Sequence, residues 1–116
     1  MSDYRELTVW QKSIDLVVCV YKLTKDFPRD EQYGLISQMR RAAVSIPSNI
    51  AEGSRRRGKD LRNFFVIAFG SGSELETQFE VCRRLEYGNI SIRLQAEKLL
   101  DEILRMLNKM TNDKYL

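Results

Sequence analysis

The sequence of 116 residues contains no histidine. Acid–base chemistry would therefore fall to Asp, Glu, Lys, Tyr or Cys, and neither a Ser-His nor a Cys-His nucleophile can be assembled. Glu76 and Glu80 stand four residues apart on one helix face, as a carboxylate pair would require. No Glu-x-x-His accompanies them, and solvated surface charge accounts for both. Cys19 and Cys82 lie far apart within apolar stretches, with no CxxC and no histidine to complete a zinc set. They read as two buried, reduced thiols. The run Gly70-Ser71-Gly72-Ser73-Glu74 lacks both the Gly-Lys-Ser/Thr ending and the preceding strand of a phosphate loop. No cofactor or metal motif is present, and the expectation is a protein that is not an enzyme.

The informative chemistry is cationic. Between Ile36 and Arg62 stand Arg40, Arg41, Arg55, Arg56, Arg57, Lys59 and Arg62, against Glu52 and Asp60. This window carries a local excess of five positive charges in a chain of net +3, which leaves the remainder at −2. All but Lys59 are arginines, whose planar fork of donors matches phosphate oxygens where lysine acts as a point charge. The loop holding the triple arginine leads into a helix N-terminus, whose free N–H groups favour anions. Contact with about five phosphates would make affinity fall with salt at a log–log slope of about −3.5 to −4.5. RNA or DNA phosphate is the leading ligand. The same arginines could instead bind acidic side chains of a neighbouring subunit or partner protein, or serve solubility alone. No aromatic is interleaved with them as a stacking platform, which argues against an RRM-like or OB-like reader.

Four segments of helical periodicity, with no alternating strand pattern, must position these residues. In the first, Leu7, Trp10, Ile14, Val17 and Tyr21 form the packing seam. It should stop near Asp26, because Phe27 precedes Pro28 and is steered from helical angles. Asp30 is placed to cap a second helix, with the seam Leu35, Met39, Ala42, Ile46 and Ile50. Pro47 falls inside it, where proline costs about 3 kcal/mol and predicts a kink near Ala43 or two abutting helices ending by Gly53. Arg41, Ser45, Ser48 and Glu52, with Asn49 close by, make a polar strip on this helix, fit for an interface or for solvent.

Gly53 to Gly58 reads as a loop. A third helix spans roughly Lys59 to Tyr87 along Leu61, Phe65, Ala68, Gly72, Leu75, Phe79 and Cys82. Gly70 and Gly72 inside it each cost up to about 1 kcal/mol, and close approach of another helix is the usual reason to keep them. Gly88-Asn89 ends this helix and Ser91 caps the fourth, which carries Ile92, Ala96, Leu99, Ile103, Met106 and Met110. Short loops between four seams predict an all-α, antiparallel up-down-up-down four-helix bundle with its second helix kinked near Pro47, one domain over residues 1–116. Val66 and Phe69 turn away from the third helix's core stripe. With Gly70 and Gly72 they are candidates for an interface between copies, and a homo-oligomer is expected.

The apolar fraction of 43% supports a core and the charged fraction of 30% a hydrated surface. The opening Met-Ser-Asp-Tyr-Arg-Glu is unlike a signal peptide, and the longest apolar run, Leu16 to Tyr21, is far too short to span a membrane. A cytoplasmic protein with no membrane partner is expected.

The sixteen-residue run from Gln38 to Gly53, QMRRAAVSIPSNIAEG, closely resembles the signature of the bacterial four-helix bundle family also called 23S rRNA-intervening sequence proteins. The flanks agree: Leu7-x-x-Trp10, Phe27-Pro28, Tyr33-Gly34-Leu35, Phe65 with Ile67, Ala68, Gly70 and Ser71, then Glu74-Leu75-Glu76-Thr77. The resemblance covers nearly the whole chain. It implies an all-α bundle in a ring-like homo-oligomer, a pentamer. It also implies similarity to the accessory proteins of diversity-generating retroelements, which present a basic surface to nucleic acid and a reverse transcriptase. Arg40, Arg41, Asn49 and Glu52 match family positions. The density of Arg55-Arg56-Arg57, Gly58 in place of a small hydroxyl residue, and Gly72 in place of a larger one depart from the pattern. Fold transfers across such a likeness more safely than function.

Overall fold

A computed structural model describes residues 3–112. The domain limits 1 and 116 and the Met1-Ser2 start of the polar N-terminus lie outside the described residues. Within them the chain forms α1 (Thr8–Thr24), α2 (Leu35–Ser54), α3 (Gly58–Leu85) and α4 (Ile90–Met110), with short 3₁₀ turns at Tyr4–Glu6 and Arg29–Glu31 and no strand among the described residues. Each helix packs on two others in cyclic order, α1 on α2 and α4, and α3 on α2 and α4. Joined by short connections, the four run alternately up and down. At 1.5 Å per residue, α3 measures about 42 Å and sets the long dimension of a body measuring 43 × 24 × 21 Å.

The core is built from helical spacing in each element. Leu16, Val20 and Leu23 of α1, Met39, Ile46 and Ile50 of α2, Leu75, Phe79 and Cys82 of α3, and Leu100, Ile103 and Leu107 of α4 are sealed from solvent. Each such side chain contributes about 1.5–3 kcal/mol through burial. The α2, α3 and α4 seams read from sequence largely lie on or beside this core. The α1 seam lies beside the core and does not fill it. Val9, Ser13, Leu16, Cys19, Val20, Leu23 and Thr24 are buried, whereas Leu7, Trp10, Ile14 and Val17 are half-buried and Tyr21 is exposed. Two apolar stripes run along α1. The one carrying the large aromatic residues flanks the core, and the aliphatic one fills it.

The caps differ from expectation in chemically sensible ways. Asp30 falls in the 3₁₀ turn and does not cap α2. Instead Glu31 Oε1 accepts from the Leu35 backbone N–H at 3.3 Å. Ser91 lies inside the first turn of α4, and Asn89 is the cap, its side chain accepting from the Ile92 N–H at 3.0 Å. α3 closes on Glu86 in the left-handed region, at φ 59°. Gly88 has φ 79°, and a Cβ there would stand 2.7 Å from Leu23 Cδ1 and 2.8 Å from Phe27 Cε1. The turn before α4 therefore nests against the end of α1.

α2 runs through Pro47 as one helix from Leu35 to Ser54, so two abutting helices are excluded. Pro47 is buried and supplies no N–H. In the same turn, Ser48 Oγ donates to the Val44 carbonyl at 2.9 Å and Asn49 Nδ2 to the Ser45 carbonyl at 2.8 Å. Gly72 is the site of close approach. A Cβ at this position would lie 2.5 Å from Leu104 Cδ2 and 3.3 Å from Leu100 Cδ1. Among the described residues, no helix is long and apolar enough to cross a membrane.

Candidate nucleic-acid interface

The fold divides the sequence-contiguous basic run between two places. From Arg41 to Arg55, α2 advances about 21 Å at 1.5 Å per residue, so Arg40 and Arg41 stand well away from the α2–α3 connection. Arg40 is committed to the subunit: its Nε donates to Thr24 Oγ1 at 2.9 Å, and its guanidinium lies 4.4 Å from the centre of the Tyr21 ring. Thr24 in turn donates to the Val20 carbonyl at 2.8 Å, so the arginine ties α2 to the last turn of α1. Arg41 is exposed and makes no ion pair among the described residues. It lines a groove of about 490 Å³ between α2 and α3, with Gln38, Ala42, Ser45, Ser71 and Glu74.

The polar strip of α2 is largely used inside the molecule. Ser45 and Ser71 share a hydrogen bond of 2.8 Å between α2 and α3. Asn49 Nδ2 reaches Ser45 Oγ at 3.0 Å. Ser48 is exposed but bonded to its own helix, and Glu52 pairs with Arg56 at 2.7 Å.

Arg55, Arg56, Arg57, Lys59 and Arg62 do come together, at the end of the bundle where α2 turns into α3. Only Arg55, Arg56 and Arg57 separate the two helices. Arg57 takes extended angles as the residue before α3 and makes no side-chain cap to it. Arg56 Nη2 donates to Glu52 Oε1, which raises the arginine's pKa above its ordinary value. Arg62 Nε donates to the Thr111 carbonyl at 3.1 Å, anchoring the far end of α4. The side chains of Arg57 and Lys59 are exposed, with no hydrogen-bond or ion-pair partner among the described residues.

Sequence reasoning missed what the N-terminal 3₁₀ turn adds here. Arg55 lies over the Tyr4 ring at 5.5 Å and Arg5 over the same ring at 4.8 Å. Arg56 lies 5.6 Å from the Phe64 ring. Asp3 also reaches this corner. The Arg5 backbone N–H, the Arg5 side chain and the Arg55 charge together hold its carboxyl below the ordinary range. No local signal could have joined Tyr4 to Arg55, which are brought together only by packing of the turn on α2.

The four interface candidates on α3 separate in the same way. Val66 is 50% exposed, and Gly70 is open, with nothing within 4 Å of an added Cβ. Phe69 is half-buried against the core. Gly72 is corrected outright: it is buried under Leu104 of the same chain and is unavailable to another copy. The outward apolar side chains that sequence reading passed over are Ile67 (50%), Val81 and Leu85 (49%). At 100° per residue they fall on one stripe of α3 with Glu74 and Gln78. Gln78 is buried, and its Oε1 has no hydrogen-bond partner among the described residues.

The thiols carry no reactive signature. Burial raises both, Cys82 to about 11, and Cys82 Sγ packs 3.4 Å from Met39 Sδ. Among the described residues, no three His, Cys, Asp or Glu side chains converge as a metal site.

Residues 5–109 match the family model described as 23S rRNA-intervening sequence protein. The fold is similar to a crystal structure of a protein with unknown function from the S23 ribosomal protein family of Bacteroides thetaiotaomicron VPI-5482. The TM-score is 0.79 at 24% identity, with 90% of this chain and 99% of that chain covered. No curated protein matches the sequence.

Proposed function

Because the chain belongs to the 23S rRNA-intervening sequence protein family, we propose that it is a non-catalytic, self-associating accessory or scaffold protein of the cytoplasm that holds nucleic acid, RNA first, by its phosphates. The observation carrying this reading is the exposed basic end of the bundle. There, among the described residues, Arg57 and Lys59 stand without anionic partners, beside Arg55 and at the start of α3. Cations so placed bind polyanions without reading sequence, since phosphate contacts position a nucleic acid and base edges specify it. Arg40 is better assigned to holding α2 on α1, and Arg41 to the α2–α3 groove.

Self-association is supported by the outward stripe of Ile67, Val81 and Leu85, beside the buried Gln78, whose carbonyl oxygen finds no donor among the described residues. A second copy would cover the apolar side chains and could supply that donor. The ring-like pentamer implied by family resemblance would repeat the basic end around its axis and multiply the field. The same stripe favours a second reading, a protein-interaction scaffold whose arginines engage acidic side chains of a subunit or partner.

Mobility-shift titration of structured RNA at low salt tests the proposal. Wild-type protein is expected to bind, and the triple substitution Arg55→Glu, Arg56→Glu, Arg57→Glu to lose at least tenfold in affinity. Absence of binding, or an unchanged affinity in the triple variant, would reject the nucleic-acid reading and leave the scaffold.

A further inference from the structure

The rings at the basic end carry the reading further, to the class of nucleic acid, and this step rests on that reading. Tyr4 is half-buried in the N-terminal 3₁₀ turn, and its ring meets Trp10 edge-on, with centroids 5.4 Å apart and planes at 65°. The indole thus steadies the phenol from α1 while the guanidiniums of Arg5 and Arg55 lie over the ring. Arg5 is also paired with Asp3 at 2.8 Å, which offsets that carboxylate. Arg57 and Lys59, two and four residues after Arg55, have no side-chain partner among the described residues.

Phosphate binding alone needs no aromatic. A ring flanked by guanidinium groups offers flat faces on which a base can stack. Bases present their faces only where they are unpaired, because in a duplex neighbouring pairs cover them. An exposed guanidinium can move aside or sandwich the incoming base, since both are planar.

We infer that the basic end takes single-stranded nucleic acid, with an unpaired base stacked on the Tyr4 ring and Arg55 while Arg57 and Lys59 hold the flanking phosphates. Ribose and deoxyribose strands share the chemistry in question, so either sugar satisfies the site.

Fluorescence anisotropy with the full chain tests this against four probes of equal length: single-stranded RNA, single-stranded DNA, a blunt RNA duplex and an abasic phosphate strand. At least one single strand is expected to bind roughly tenfold tighter than the abasic strand and the duplex. Trp10, the sole tryptophan, should change its emission with that strand and not with the abasic one. Tyr4→Leu keeps apolar contact with Trp10 but has no π-face, and should erase the preference without weakening abasic binding. Arg55→Lys, on the exposed connection, keeps the charge, leaves the turn intact and should reduce the preference. Equal affinity for all probes, or a preference surviving both variants, overturns the inference and leaves phosphate binding standing. Failure of every probe to bind removes the proposed function itself.

Discussion

Arg40 and Arg57 are the same residue type in the same charged run, and the fold gives them opposite work. Arg40 bonds the Thr24 hydroxyl and stacks on Tyr21. Arg40→Ala should therefore cost about 1–3 kcal/mol of stability in denaturant unfolding, from a charged hydrogen bond and a cation–π contact, with little change in RNA affinity. Arg57→Ala should do the reverse. Nothing in the sequence separates them, since the distinction lies in which side of α2 meets α1. Glu80 shows the residue scale in its titration. Hydrogen bonds from Arg83 and then Arg84 lower its pKa from the ordinary 4.5 to about 2. The stability it adds is fully present above 4.5 and is lost as pH falls through about 2. Because the carboxylate is exposed, that contribution is small, and the observable is the titration itself. Carboxyl NMR should place Glu80 near 2, returning toward 4.5 in the Arg83→Gln, Arg84→Gln double variant.

The elements were legible where periodicity and breakers acted alone. The four helices, their order and the short connections follow from apolar spacing, Phe27-Pro28 and Gly88-Asn89. Legibility failed where two local answers competed. The aromatic stripe of α1 outranked the aliphatic one by size, yet Leu16, Val20 and Leu23 fill the core, while Trp10 and Tyr21, whose N–H and O–H need water or a partner, stay at its edges. At the α3 terminus, sequence pointed to Gly88, and the chain places Glu86 in the left-handed region as well. A side chain costs energy there that glycine does not. Glu86→Gly should raise stability by about 0.5–1 kcal/mol, seen as a rise of several degrees in melting temperature. The polar strip of α2 was found by angle. Its partner Ser71, which turns part of it inward, required the register of α2 on α3.

For the molecule as a whole, two surfaces follow from the bundle: an apolar stripe along α3 and a basic end at the α2–α3 turn. The first predicts that Leu85→Glu, at a side chain 49% exposed, reduces particle mass in sedimentation while the helical signal is unchanged. An unchanged mass would reject this stripe as a contact between copies. The second surface carries the central claim. Of its cations, Arg56 is paired with Glu52 and Arg62 with a carbonyl, which leaves Arg57 and Lys59, with the charge of Arg55 beside the Tyr4 ring, to neutralise phosphate. The most direct measurement is RNA affinity across a series of salt concentrations. The account predicts a straight log–log decline of about −2 to −3 per engaged subunit, from three phosphates at 0.7–0.9 each. A flat line, or no complex even at low salt, would contradict it.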